Sequence, residues 1–390
     1  MKALIEEVSR ELTNDILPFW LGKMDDGAGA WIGRIDGKGT PHPDSERGCI
    51  MYARILWTFS SAYRLTGVEQ YLDAATRTRD YILDHFIDRE YGGAYWCLKA
   101  SGEPLDTKKQ IYAIAFAIYG LAEYARATGS DPSEAIALFR SVEEHSLDRV
   151  KGGYLEAFKR DWSPIGDMRL SAKDRNDAKT MNTHLHVLEA YTALCRVWDS
   201  PEIRGSLRSL IEVFMGKIIR PDGHLGLFFD EDWHSTSRMI SYGHEIETSW
   251  LLCEAASVLS DDALTARVRD LSTKMAEASL EGFSEGMIYE YDPESGAPDV
   301  DRHWWVQAET VVGCINQWRI TGSTEWLDRA ESVWDFIKAH IICPEGEWYW
   351  SARPSDGGFV ANLDDDRAGF WKCPYHNGRM CMELMDCAER

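Results

Sequence analysis

The chain has 390 residues, 44% of them hydrophobic and 12% aromatic, so it can bury a large core. Its 42 basic residues against 64 acidic ones leave a formal charge of −22, which argues against nucleic acid or an anionic membrane as partners and favours a neutral or cationic small molecule. No apolar run reaches the length of a membrane span, the opening MKALIEEVSRELTND has no apolar signal core, and nine scattered cysteines without a CxxC pair suit reduced thiols, so a cytoplasmic protein is expected.

In chain order, a charged amphipathic helix is predicted over Lys2–Ile16, followed by GAGAWIGRI at Gly27 and a more apolar helix over Gly48–Leu65. The same sequence of events then recurs. Val68–Phe86 precedes YGGAYW at Tyr91 and Gln110–Thr128, and Pro132–Leu147 precedes KGGYLEAF at Lys151 and Met181–Trp198. Next, Pro201–Ile219 leads to DGHLGLFFD at Asp222 and His244–Leu259, and Asp262–Leu280 leads to EGMIYEYD at Glu285 and Trp305–Ile320. Glu325–Ile341, EGEWYW at Glu345 and Asn377–Ala388 complete the sixth copy. The glycine-aromatic runs start about 60 to 70 residues apart, which suits two helices and a strand-rich loop per repeat. Each repeat therefore reads as helix, short hairpin, helix.

A helix with a broad charged face belongs outside, and one apolar on most sides must be interior. Six of each, alternating, predict an all-α (α/α)6 barrel, or toroid, with short β-hairpins in the rim loops. No linker or low-complexity tract divides it, so one catalytic domain over residues 1–390 is expected. Every inner helix then starts at the same rim, where helix N-termini favour developing negative charge.

That rim is rich in reactive side chains: Arg54 in MYARILW, Tyr112 in QIYAIAF, Asn182 and His186 in KTMNTHLH, and His244 and Glu247 in GHEIE. The later repeats add Trp304, Trp305 and Glu309 in HWWVQAE, and Trp371, His376 and Arg379 in WKCPYHNGR. His244 and Glu247, three apart, share a helix face, a pattern that suits catalysis or a histidine satisfied by its neighbour. Five of eleven histidines (His184, His186, His244, His303 and His376) fall at this one rim, which core histidines have no reason to do. His184 and His186 are two apart and point to nearly opposite faces, so His186, which shares a face with Asn182, is the one expected in the pocket. The rim tryptophans Trp250, Trp304, Trp305 and Trp371 suit the apolar C–H face of a sugar ring. Three histidines and a glutamate could also hold zinc, but no HExxH is present, and GxxxxGK and GxGxxG are absent too, so no metal and no cofactor is expected.

The runs RILWTFSSAY, the Asn182-to-His186 stretch followed by LEAYT, SYGHEIETSWLL, WWVQAETVVG and WKCPYHNGRMCME resemble, in order and over nearly the whole chain, the cellobiose 2-epimerase branch of the N-acylglucosamine 2-epimerase superfamily. The resemblance implies an (α/α)6 barrel and an isomerase that inverts C2 of the reducing glucose of β-1,4-linked disaccharides such as cellobiose, lactose and mannobiose. It implies His244 and His376 as the acid/base pair at C2, on opposite sides of a cis-enediolate. His186 would assist ring opening or hold the C1 oxygen, Arg54 would stabilise the enediolate, and Glu247 would orient His244. Asn182, Tyr112, Glu309 and Trp305 would position sugar hydroxyls, with Trp371 and Trp250 as platforms. A monomer or weak homodimer needing no cofactor is expected. A monosaccharide-acting relative, such as a mannose isomerase or an N-acylglucosamine epimerase, would use similar histidines. An inverting glycoside hydrolase would need two carboxylates about 6.5 to 9.5 Å apart.

Overall fold

The computed structural model describes residues 1–387, so the expected end of the last helix, Ala388, lies outside the described residues. The chain opens with the outer helix α1 (Lys2–Glu11) continued by α2 (Leu17–Lys23), and inner and outer helices then alternate through α3 (Cys49–Thr66), α4 (Glu69–Tyr81), α5 (Ile111–Thr128), α6 (Ser133–His145) and α7 (Met181–Val197). The alternation goes on through α8 (Pro201–Val213), α9 (Tyr242–Val258), α10 (Asp262–Ser279), α11 (Trp304–Thr321), α12 (Thr324–His340) and α13 (His376–Cys387). The odd-numbered helices from α3 to α13 each pack on the next, and α13 packs back on α3. This closed inner ring with an outer helix in every repeat is the (α/α)6 barrel.

Burial follows sequence directly. In α5, IYAIAFAIYGLAEYARAT, every residue from Ile111 to Ala125 is buried, which only an interior position allows. The outer α8 buries just Ile203, Leu207, Leu210 and Ile211, one stripe at helical spacing. Each such leucine contributes roughly 1.5–3 kcal/mol by leaving water. α3, α5 and α11 stop at Gly67, Gly129 and Gly322, whose left-handed conformation lets the chain reverse into the next outer helix.

One expectation needs correction. The first outer helix does not end at Ile16 but runs to Lys23. A wide turn over Leu12–Ile16 makes room for the Pro18 ring and leaves it in the first turn of α2, where its missing N–H is not needed. The rim strands form the expected hairpins within repeats, such as Cys97–Leu98 with Pro104–Asp106 and Ser351–Ser355 with Gly358–Ala361, and these mostly two-residue strands also pair across repeats. The strand before each inner helix joins the hairpin of the following repeat: Arg47–Gly48 with Cys97–Leu98, Lys109–Gln110 with Ala157–Phe158, and Lys179–Thr180 with Phe228–Phe229. Ile240 pairs with Tyr291 and Arg302–His303 with Ser351–Ala352, and Ala368 closes the circle on Ile35 of the first repeat. Each link gives the start of an inner helix a fixed height. The N–H groups of Cys49, Ile111, Met181 and Trp304, which have no partner inside their own helices, donate to carbonyls of that neighbouring strand.

Cations in these linking segments pin them to the turn of their own repeat: Arg47 to Asp26 at 2.9 Å, Lys109 to Asp88 at 2.8 Å, Lys179 to Asp148 at 2.8 Å and Lys372 to Glu347 at 2.9 Å. Lys109, Lys179 and Lys372 are buried, so their paired geometry matters more than the net energy of any one pair.

Candidate active site

The N-terminal turns of all six inner helices converge at the rim. Arg54 projects from α3, and its guanidinium donates to the Trp371 carbonyl at 3.1 Å and the Tyr112 hydroxyl at 2.9 Å. It lies over the Phe116 ring at 4.1 Å and the Tyr375 ring at 4.8 Å. It is buried, its Nε is unpartnered, and no carboxylate among the described residues pairs with it. A buried cation without its own anion is a receptor for one.

Three imidazoles share this rim, each held through Nδ1. His186 Nδ1 meets Glu189 at 3.0 Å, His376 Nδ1 meets Glu309 at 2.7 Å, and His244 Nδ1 meets the Ser241 hydroxyl at 2.7 Å. None of the three Nε2 atoms has a protein partner among the described residues, so each is available to a ligand. His186 also packs against Tyr112 and Phe116 at 4.9 and 4.6 Å, next to Arg54. Trp305 contacts both of the others, 4.7 Å from His244 and 5.6 Å from His376. Burial pushes His244 down to about 3, helped by the charge of His186. Burial likewise lowers His186, against the pull of Glu189, and drives His376 well below its ordinary value together with Arg54 and Arg379. At neutral pH all three are uncharged and able to take a proton.

Beneath the histidines, Arg379 of α13 draws three buried carboxylates together. Its Nη2 donates to Glu247 at 2.7 Å and Glu309 at 2.6 Å, and its Nη1 reaches Glu189 and the Tyr375 hydroxyl. Burial would raise Glu189, but Arg379 and His186 outweigh it and hold the carboxyl at about 2. For Glu247 burial and the charge of Glu309 win, and its carboxyl is raised well above the usual range. The ligand atoms of Glu247, Glu309 and His376 lie within 4.8 Å of one another, a spacing that could suit a metal. The guanidinium bound to both glutamates already supplies the cation there.

The geometry corrects several residue roles expected from sequence. Glu247 does not orient His244, because it turns to Arg379 while Ser241 takes the imidazole. Trp250 is no platform: it is buried, donates to Glu309 Oε2 at 3.0 Å and carries Arg379 on its face. Glu309 spends both oxygens on His376, Arg379 and Trp250, and so supports His376 instead of gripping a hydroxyl. Trp304 is buried against Trp350 with its Nε1 unpartnered, whereas Trp371 is partly open beside Trp96 and Tyr112. Asn182, one turn before His186, has a shielded Oδ1 with no partner. His184 is spent structurally, its Nδ1 on the Thr180 carbonyl and its Nε2 accepting from the Tyr154 N–H. Both Glu247 and Glu309 touch one Arg379 nitrogen, which brings them too close together for the gap an inverting hydrolase requires.

Glu189, Tyr375, Ser241 and the hub position of Arg379 are functional features that sequence reasoning missed. Glu189 and Arg379 had a legible signal, since each sits three residues after a rim histidine.

A sequence profile of the N-acylglucosamine 2-epimerase (GlcNAc 2-epimerase) family matches residues 30–372. The chain belongs to this family. Among its members, cellobiose 2-epimerase of Bacteroides fragilis is 53% identical over 98% of both chains. The solved structure of cellobiose 2-epimerase from Bacillus thermoamylovorans B4167 superposes with a TM-score of 0.94 at 35% identity, covering 99% of this chain and 100% of that one. A D-mannose isomerase structure reaches a TM-score of 0.85 at 19% identity over 99% and 98% of the two chains, a likeness of fold alone. The profile covers every inner helix of this GlcNAc 2-epimerase family member except α13, which brings His376 and Arg379.

Proposed function

We propose that this protein is a cellobiose 2-epimerase, a cofactor-independent carbohydrate isomerase acting on the reducing glucose of β-1,4-linked disaccharides. The observation that carries the chemistry is the unneutralised, buried Arg54 beside three neutral imidazoles with open Nε2 atoms. Residues 1–390 would act as one catalytic domain. The buried, unbridged thiols of Cys49, Cys195, Cys314 and Cys381 support a cytoplasmic setting, where cysteines stay reduced.

Inversion at C2 needs an open-chain aldehyde, loss of the C2 proton, and return of a proton to the opposite face. His186 assists ring opening and holds the C1 oxygen. Of His244 and His376, one takes the C2 proton through Nε2, while the other, neutral at rest, first gains a proton at Nε2 from water or a sugar hydroxyl and then delivers it to the opposite face. Arg54 stabilises the negative charge that develops on the enediolate oxygen, in a site where burial strengthens the attraction. Asn182 and Tyr112 offer hydrogen bonds to hydroxyls, and Trp305 and Trp371 supply apolar surface for the rings.

Proton NMR of the protein with cellobiose in D2O tests this. The expected product is 4-O-glucosyl-mannose carrying deuterium at C2, with lactose giving epilactose. Free glucose from cellobiose, or reaction of mannose alone to fructose, overturns the reading. His244→Ala and His376→Ala should each lower kcat by about 10²–10⁴-fold while far-ultraviolet circular dichroism stays unchanged.

A further inference from the structure

The two acid/base histidines of the proposed reaction have different partners at Nδ1. His376 faces a carboxylate, Glu309, that also accepts from Arg379. His244 faces a neutral hydroxyl, Ser241, and among the described residues reaches no carboxylate by hydrogen bond. Ser241 sits one residue before α9 and is itself buried, so its side chain is fixed before the helix begins. It does not cap the helix by accepting a backbone N–H, which leaves its hydroxyl for the imidazole.

We propose that Ser241 is a positioning residue that accepts a hydrogen bond from Nδ1–H of His244 and thereby keeps Nε2 as the working atom on one face of the sugar. An imidazole has two nitrogens, and only one can meet C2. In the neutral base Nδ1 carries the proton and Nε2 the lone pair, while in the conjugate acid both carry protons. A hydroxyl oxygen accepts from Nδ1–H in either state, so the ring need not turn as the proton at Nε2 comes and goes. Glu309 plays the same part for His376, but its charge supports the imidazolium more strongly than a hydroxyl can. The two faces of the enediolate are therefore served by unequal groups, a carboxylate-backed imidazole and a hydroxyl-backed one.

This inference rests on the epimerase reading, and isotope exchange separates the two. In Ser241→Ala, transfer at the His244 face should slow by up to about tenfold, the scale of one neutral hydrogen bond, while the His376 face keeps its rate. An enediolate formed through His376 then returns more often to the epimer it came from. In D2O that epimer should gain C2 deuterium faster, relative to its epimerisation, than with the unsubstituted enzyme, and the other epimer should not. Ser241→Thr, which keeps the hydroxyl, should restore the original ratio. Slower turnover with unchanged exchange ratios from both epimers would overturn the proposal and leave Ser241 a structural residue. Nitrogen-15 NMR of the unsubstituted protein, with the His244 signals assigned by His244→Ala, gives a test independent of folding in the variant. A neutral His244 protonated at Nδ1 is expected, and one protonated at Nε2 would overturn the inference. If the unsubstituted enzyme exchanges no C2 hydrogen in either epimer, it is the epimerase reading that fails.

Discussion

α7 and α9 begin with the same pattern, a histidine followed three residues later by a glutamate, and the structure treats the two pairs in opposite ways. In α7, His186 and Glu189 touch at 3.0 Å. In α9, His244 and Glu247 do not pair, because Ser241 holds the imidazole and Arg379 holds the carboxylate. Shared helix geometry brings two side chains within reach of each other, and the neighbouring helices decide whether they meet. His244 lies in the first turn of α9, where the residues ahead of the helix can compete for it, while His186 sits deeper, in the second turn of α7.

The strongest way to break this contrast is to remove the group that imposes it. Arg379→Met leaves Glu189, Glu247 and Glu309 buried without their cation, which should cost about 3–5 kcal/mol. Denaturant melts should show the loss, and a midpoint close to that of the unsubstituted protein would contradict the hub assignment. Acid challenges α7 and α9 alike. His184 is lowered to about 4 and His244 to about 3, in both cases chiefly by burial, against about 6.5 in an unfolded chain. As pH falls below about 6.5 the unfolded state binds protons that the folded state refuses, so stability declines to about pH 4 through His184 and on to about pH 3 through His244, and is unaffected by these groups above 6.5. For His184 alone the loss is on the order of 3 kcal/mol. A melting temperature that stays level between pH 7 and pH 5 would contradict it.

Smaller effects sharpen the comparison. Glu189→Gln removes the charged partner of His186 and should reduce kcat by about ten- to a hundredfold, the scale of one charge-assisted hydrogen bond. The subtlest expectation is a null result at the other pair. Nitrogen-15 NMR should find the His244 tautomer the same in Glu247→Gln as in the unsubstituted protein, while Glu189→Gln alters that of His186. A changed His244 tautomer would mean that Glu247 orients it after all.

The barrel was legible because its signals are local and repeated: apolar helices such as α5 against striped ones such as α8, separated by glycine-aromatic runs. Helix ends set by long-range packing were harder to read. The passage through Pro18 depends on the wide turn ahead of it, and nothing in a propensity scale announces that turn. Strand pairing between repeats joins segments such as Lys109–Gln110 and Ala157–Phe158, which no local pattern connects. In the site, positions were readable and partners were not. His186, His244, Arg54 and His376 stand where helix spacing put them, but Trp250 and Glu309 were misassigned because their partners, Arg379 and His376, arrive from another helix.

The closing of the ring by α13 also has a temporal consequence. Glu189, Glu247 and Glu309 belong to α7, α9 and α11, and the guanidinium that compensates them comes from the last described helix to leave the ribosome. A nascent chain carrying the first five repeats therefore has three acidic groups with no cation to gather them and lacks His376 altogether. Their mutual repulsion works against premature compaction of the pocket, and α13 acts as the keystone that permits it. Catalytic competence thus waits for α13, when the sixth repeat docks against the first.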